Sequence, residues 1–107
     1  MFDTLLKNLD EQGRGVRAYD ACARTARNNT VAHPDKAAAF LLIAIAAQRF
    51  VDAYDDQPLT VEKAGEEFDQ IGSLITLLGD AYATGSAEQR IAALNTVAAR
   101  LAATPKA

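Results

Sequence analysis

The 107-residue chain has one cysteine, one histidine and one methionine, no tryptophan and only three prolines. One cysteine, Cys22, excludes an internal disulfide, so folding does not require an oxidising compartment. One histidine excludes a di-iron bundle, which needs a Glu-x-x-His pair on each of two helices. His33 also precedes Pro34, where the chain is pushed out of helical geometry, and so reads as a cap or loop residue. No P-loop, Gly-x-Gly-x-x-Gly or Gly-x-Ser-x-Gly motif is present. Asp52, Asp55 and Asp56 lack the calcium-loop spacing with its central glycine and terminal glutamate. The residues thus indicate no cofactor, no metal and no enzyme.

Positive charge is also scarce. The net charge is −3 and the pI is near 5.0, whereas a general nucleic-acid binder is normally basic. The N-terminal MFDTLLKNLD places acids early and lacks a long apolar core, so no signal peptide is expected. A membrane span is not expected either, because it needs about 20 predominantly apolar residues. The densest apolar run, Ala37–Ala47, meets Gln48, Arg49 and Asp52 before that length. Cytoplasm is the default expectation.

Half of the residues are hydrophobic and under a quarter charged, which is the composition of one globular domain. Strand-like alternation is absent and helical spacing is pervasive. Phe2, Leu5, Leu9, Val16, Tyr19, Ala23 and Ala26 fall on one helical face. Gly13 and Gly15 interrupt that stretch. The apolar phase continues across them, however, and Asp3–Lys7, Asp10–Arg14 and Asp20–Arg24 are acid-before-base pairs at i,i+4. One continuous helix over about 3–28 is therefore expected, bent at the glycines.

The run AAAFLLIAIAAQRFVDAY, opened by Pro34 and Asp35, predicts a central helix over about 34–54. Asp55-Asp56-Gln57-Pro58 is a turn, and Thr60 an N-cap. Val61, Ala64, Phe68, Ile71, Ile75, Leu78 and Tyr82 alternate steps of three and four, which predicts a third helix over about 61–83 with Gly85 as its C′ residue. Ser86-Ala87-Glu88-Gln89 is a capping box opening a fourth helix over about 87–103, and a frayed tail is expected over 104–107. The fold expected is an all-α, single-domain, antiparallel four-helix bundle.

Two features exceed a plain bundle. On the central helix, Phe40, Ile43, Ala47, Phe50, Val51 and Tyr54 share the core face at 100° per residue. Leu41, Leu42 and Ile45 point elsewhere, on the side shared with Arg49. These four residues form a candidate interaction patch for a protein partner or a second copy of the chain. On the third helix, Gly65, Gly72 and Gly79 recur every seven residues along one flank of the apolar face. Beside Phe68, that row is a candidate close-packing seam or a groove for a small ligand. Charge is segregated too: Arg14, Arg17, Arg24 and Arg27 lie early, while acids dominate from Asp52 to Glu88. The tyrosines read as core-edge residues, and Cys22 falls on a flank off the main stripe. The leading functional expectation is a non-enzymatic interaction module, an adaptor, regulator or accessory subunit that forms a homodimer through the central helix. The alternative is a small-molecule-binding bundle with its pocket beside the glycine row.

Overall fold

The computed structural model describes residues 1–103, so the tail expected over residues 104–107 lies outside the described residues. Among the described residues the chain is all-helical and without strands. Five α-helices follow in order: α1 (Phe2–Glu11), α2 (Val16–Ala32), α3 (Ala37–Tyr54), α4 (Val61–Thr84) and α5 (Ala87–Ala103). A single 3₁₀ turn, Pro34–Lys36, leads into α3, so the central α-helix starts three residues later than expected. Lys36, at φ −123° and ψ 15°, is the residue that departs from helical geometry.

The fifth helix arises because the first expected one is two. Gly13 adopts φ +96° and Arg14 φ +60°, and both lie in the left-handed region that glycine enters at least cost. The Gly13 N–H donates to the Asp10 carbonyl at 3.2 Å and the Arg14 N–H to the Leu9 carbonyl at 3.1 Å. These are the two bonds of a Schellman stop, and they satisfy carbonyls that α1 would otherwise leave orphaned. The Arg14 Nε also donates to the Asp10 carboxylate at 2.7 Å. The i,i+4 pair that argued for continuity therefore spans the break and ties its two sides together. The apolar phase survives because both segments face one core: Leu5 and Leu9 of α1 and Tyr19, Ala23 and Ala26 of α2 are all buried.

The most extensive helix pair is α2 against α3. Buried positions on these two helices include Ala18, Ala23 and Ala26 on α2 and Ala39, Ala44 and Ala47 on α3. Alanine presents little more than backbone, which lets two helices approach closely. Phe40 and Ile43 fill the centre, at 0% and 1% exposure. Phe40 stacks on Phe2 with ring centroids 4.7 Å apart, and Phe2 also meets Tyr82 at 5.7 Å. One aromatic cluster thus joins α1, α3 and α4, with offset geometry of the kind that adds to area burial. Two side chains expected in the core, Val51 and Tyr54, are only half-buried and pack at its margin.

By length and composition Pro34–Tyr54 does reach the threshold for a membrane-crossing helix, with mean hydropathy 1.5 over its 18-residue window. The three polar residues near its end do not disqualify it. Here six of its side chains are packed against the other helices.

Caps place the last two helices as expected. The Thr60 hydroxyl accepts from the Lys63 N–H at 3.0 Å. Ser86 and Gln89 exchange reciprocal bonds of 2.7 and 3.2 Å. Gly85 ends α4, but with extended backbone, at φ −83° and ψ 155°. Its requirement is space: a Cβ there would fall 2.4 Å from the Ala81 carbonyl oxygen.

Candidate functional site

Seven of the seventeen residues of α5 are alanine. Only Ala93 and Val97 of that helix are fully buried, while Leu94 and Leu101 pack partly. A cleft of about 1050 Å³ lies among α3, α4 and α5. Ala46 and Ala53, two helical turns apart on α3, and Ala103 on α5 line it with methyl groups alone. Its apolar floor is Tyr19, Phe50, Tyr54, Ile71 and Leu74. The size and lining match a small-molecule site, commonly 300–1,000 Å³ with mostly hydrophobic and aromatic walls.

Charged side chains ring this floor in equal numbers. Arg49, Lys63 and Arg100 face Asp52, Glu67 and Asp69, three cations against three carboxylates. Several are held in place. Arg49 donates to the Leu101 carbonyl, linking α3 to the end of α5, where a cation meets the negative end of the helix. Arg100 donates to the Ser73 hydroxyl at 3.3 Å. Gln48 donates to Asp52 at 3.0 Å, and Lys63 pairs with Glu66 at 3.6 Å.

Tyr19 is the only α2 residue that borders this cleft. Its ring stacks on Phe50 with centroids 3.6 Å apart and planes within 10°. The residue is 1% exposed, and its hydroxyl has no hydrogen-bond partner among the described residues. Burial, reinforced by the nearby Glu67 carboxylate, drives the phenol well above its ordinary range. It therefore remains an O–H donor at any pH the protein meets. A buried donor without a partner costs about 1–3 kcal/mol of desolvation, and most such groups are paired.

The residues singled out from the sequence are not brought together as one site. Leu41 and Ile45 are exposed, at 47% and 39%, as their angular positions required. Leu42 is half-buried and packs against the core. Arg49 belongs to the cleft rim, to which Leu41 and Ile45 do not contribute. The glycine row likewise divides. A Cβ at Gly65 would meet nothing within 4 Å, at Gly72 it would touch Leu6 at 3.6 Å, and at Gly79 it would sit 3.3 Å from the Phe2 Cβ. The partner filling the seam is α1, and the row accommodates this helix through two of its three glycines. Phe68 lies at its edge under the Arg14 guanidinium, 3.8 Å from the ring centroid. What remains there is a shallow, open groove. The larger cleft adjoins it, sharing Asp69, Ser73 and Arg100, and adds Lys63, Glu67, Gln70, Ile71 and Leu74 of α4.

The glycine row yields a graded prediction. Alanine in place of a mid-helix glycine gains about 1 kcal/mol from propensity. Gly65→Ala should realise nearly all of it, Gly72→Ala most, and Gly79→Ala least, because Phe2 must yield. Urea unfolding of the three variants measures the order. Equal gains at 65 and 79 would show that α1 is not seated on the row.

Two further side chains differ from expectation. Cys22, placed off the main stripe, is buried, because α2 packs against both α1 and α3 and so buries a wider arc. Burial pushes its thiol up to about 11, where almost no reactive thiolate forms at neutral pH. Asp3 does not pair with Lys7 but with the N-terminal ammonium at 3.0 Å, which holds its carboxyl below the usual range. His33 caps α2 as expected, and its ring tilts against Phe40 at 6.2 Å.

No protein-family model matches this chain, and neither a curated protein nor a solved structure does.

Proposed function

We propose that the chain is a non-enzymatic helical binding protein whose cleft among α3, α4 and α5 holds a small apolar or aromatic molecule. The observation that carries this reading is the volume of about 1050 Å³ over an apolar, largely aromatic floor. In this reading α2, α3, α4 and α5 are the four antiparallel helices of a bundle and α1 caps it. Cytoplasmic residence belongs to this reading, and the one buried thiol makes no demand for an oxidising compartment. A ligand that binds only the folded state stabilises by mass action, about 2.7 kcal/mol at one hundred times its Kd. In a domain of this size that is a rise of about 10 °C or more in melting temperature. A calorimetric screen with neutral, naphthalene-sized aromatics measures it, and an unchanged melting temperature across the screen would sink the proposal.

A second reading, an interaction module, rests on the exposure of Leu41 and Ile45. Two partly exposed side chains fall far short of the roughly 1,000 Å² of a stable interface. The occupant this patch suits is a second copy of the chain, associating weakly through α3 at high micromolar concentration. Sedimentation equilibrium should show this association, and Leu41→Glu should abolish it without altering the melting temperature. A wild-type chain monomeric throughout that range would exclude it.

A further inference from the structure

Of the three helices that form the cleft, α5 is held least firmly. Two of its 17 residues are fully buried, and both are small, Ala93 and Val97. In α3 six of 18 residues are fully buried, Phe40, Ile43 and Phe50 among them. The four buried residues of α4 are all large: Ile71, Leu74, Ile75 and Leu78. A segment with so few buried apolar side chains separates from the rest at a fraction of the free energy of global unfolding.

The two ends of α5 are fastened differently. The chain leaves α4 through Gly85 and Ser86, and Arg90 then donates to the Tyr82 carbonyl at 3.2 Å and lies over the Tyr82 ring. The α5 residues that line the cleft are all at the other end: Arg100, Leu101 and Ala103. Two arginines tie that end down. Arg49 of α3 donates to the Leu101 carbonyl, and Arg100 donates to the Ser73 hydroxyl of α4 at 3.3 Å. Neither tie is fully buried, so water can replace both at modest cost. The floor below is covered, with Phe50, Ile71 and Leu74 at 3, 4 and 8% exposure. A ligand that lies on this floor therefore requires a wall to move. From Gly85 to Leu101 the helix runs about 24 Å, so a turn of about 10° at its start carries Leu101 about 4 Å, roughly the thickness of one aromatic ring. Gly85 and Ser86 lie between the two helices, where hinges commonly sit.

Resting on the cleft reading above, we infer that α5 is the gate of that site: its C-terminal end swings out about Gly85 and Ser86 to admit a ligand, and Arg49 and Arg100 are the latch that draws it back. Arg49 is then a positioning residue, which sets how often the site is open. Ligand entry under such a gate is proportional to the open population.

Native-state amide exchange of the full chain, read by two-dimensional NMR, measures the opening. Amides of residues 94–101 are expected to exchange as one group, at least about ten-fold faster than those of Ala23 and Ile43. Arg49→Met keeps an unbranched stem and removes the donor, so exchange over 94–101 should rise about five-fold. Line shapes in a titration with the neutral aromatic ketone 2-acetylnaphthalene then give its association rate constant in both proteins. That constant should rise by the same factor in Arg49→Met, which neither a lost ligand contact nor a lower stability would produce. Exchange over 94–101 as slow as at Ala23 and Ile43, or unmoved in Arg49→Met, would overturn the gate while leaving the cleft as a site. An association rate that stays constant while α5 exchange rises would overturn it too, because the ligand would be entering past a closed α5. If the probe binds but perturbs no cleft residue, or does not bind, the cleft reading falls and takes the gate with it.

Discussion

Phe40→Ala is expected to lower the melting temperature by about 20 °C. Truncating a buried phenylalanine costs about 3–5 kcal/mol, and each kcal/mol shifts a domain of this size by about 4–8 °C. The upper part of the range applies to Phe40 for two reasons. It is 0% exposed, so the space vacated is enclosed and cannot fill with water at low cost. It is also the surface on which Phe2 stacks, and through Phe2 the seat of α1 on α4. Loss of the ring therefore loosens α1 as well as the centre of α3. Thermal unfolding followed by circular dichroism at 222 nm measures the effect. A fall of less than 5 °C would mean that the aromatic cluster is not the joint between these helices. Total stability of small domains is commonly 5–15 kcal/mol, so a change of this size takes a large part of it.

The second large effect is on binding. Ala46→Trp should weaken the binding of a cleft ligand by at least about 100-fold while changing the melting temperature by only a few degrees. The cleft exists because alanines stand where bulk would otherwise be: Ala46 and Ala53 on α3, Ala103 on α5. Ala46 is half-buried rather than enclosed, so an indole can extend into the open volume without the strain that overpacking a closed core produces. The indole then covers part of the floor that the ligand would use. Calorimetric titration with 2-acetylnaphthalene reads the loss, beside a thermal melt that confirms folding. Undiminished affinity in a folded Ala46→Trp would place the ligand elsewhere.

Most of the helical framework is legible from residue periodicity and caps. The strict three-and-four spacing from Val61 to Tyr82 corresponds to α4, which extends one residue beyond its expected end at 83. The Ser86–Gln89 box marks the start of α5 at the expected residue. The break between α1 and α2 is hidden from periodicity for a physical reason. Apolar phase reports which face meets the core, and two separate helices that share a core can keep phase by chance of linker length. The signal that outweighed it was Gly13 followed two residues later by Gly15, the chemistry of a helix stop. An i,i+4 ion pair such as Asp10–Arg14 fits a Schellman turn as well as a helix interior.

The site was less legible than the frame. Angular placement identified Leu41 and Ile45 correctly as lying outside the core stripe, since that depends on one helix alone. It grouped Arg49 with them, although Arg49 turns to the end of α5. A cleft is a property of three helices and of the bulk each lacks. The small alanine-rich face of α5 was visible in the sequence, but its distance from α3 and α4 was not. Tyr19 reads as a core-edge residue from its stripe position, which does not report whether its hydroxyl reaches water. Only the packing of α2 beneath α3 shows that it does not. The glycine row does mark a close approach, and its partner is α1, which periodicity alone merges with α2.

The central claim is that the volume among α3, α4 and α5 is a ligand site. It is tested most directly by methyl and amide NMR of the full chain during titration with 2-acetylnaphthalene. Saturable shifts are predicted for Phe50, Ile71, Leu74 and Leu101, with Leu41 and Ile45 unmoved. Shifts confined to Leu41 and Ile45, or no saturable shift anywhere, would contradict it.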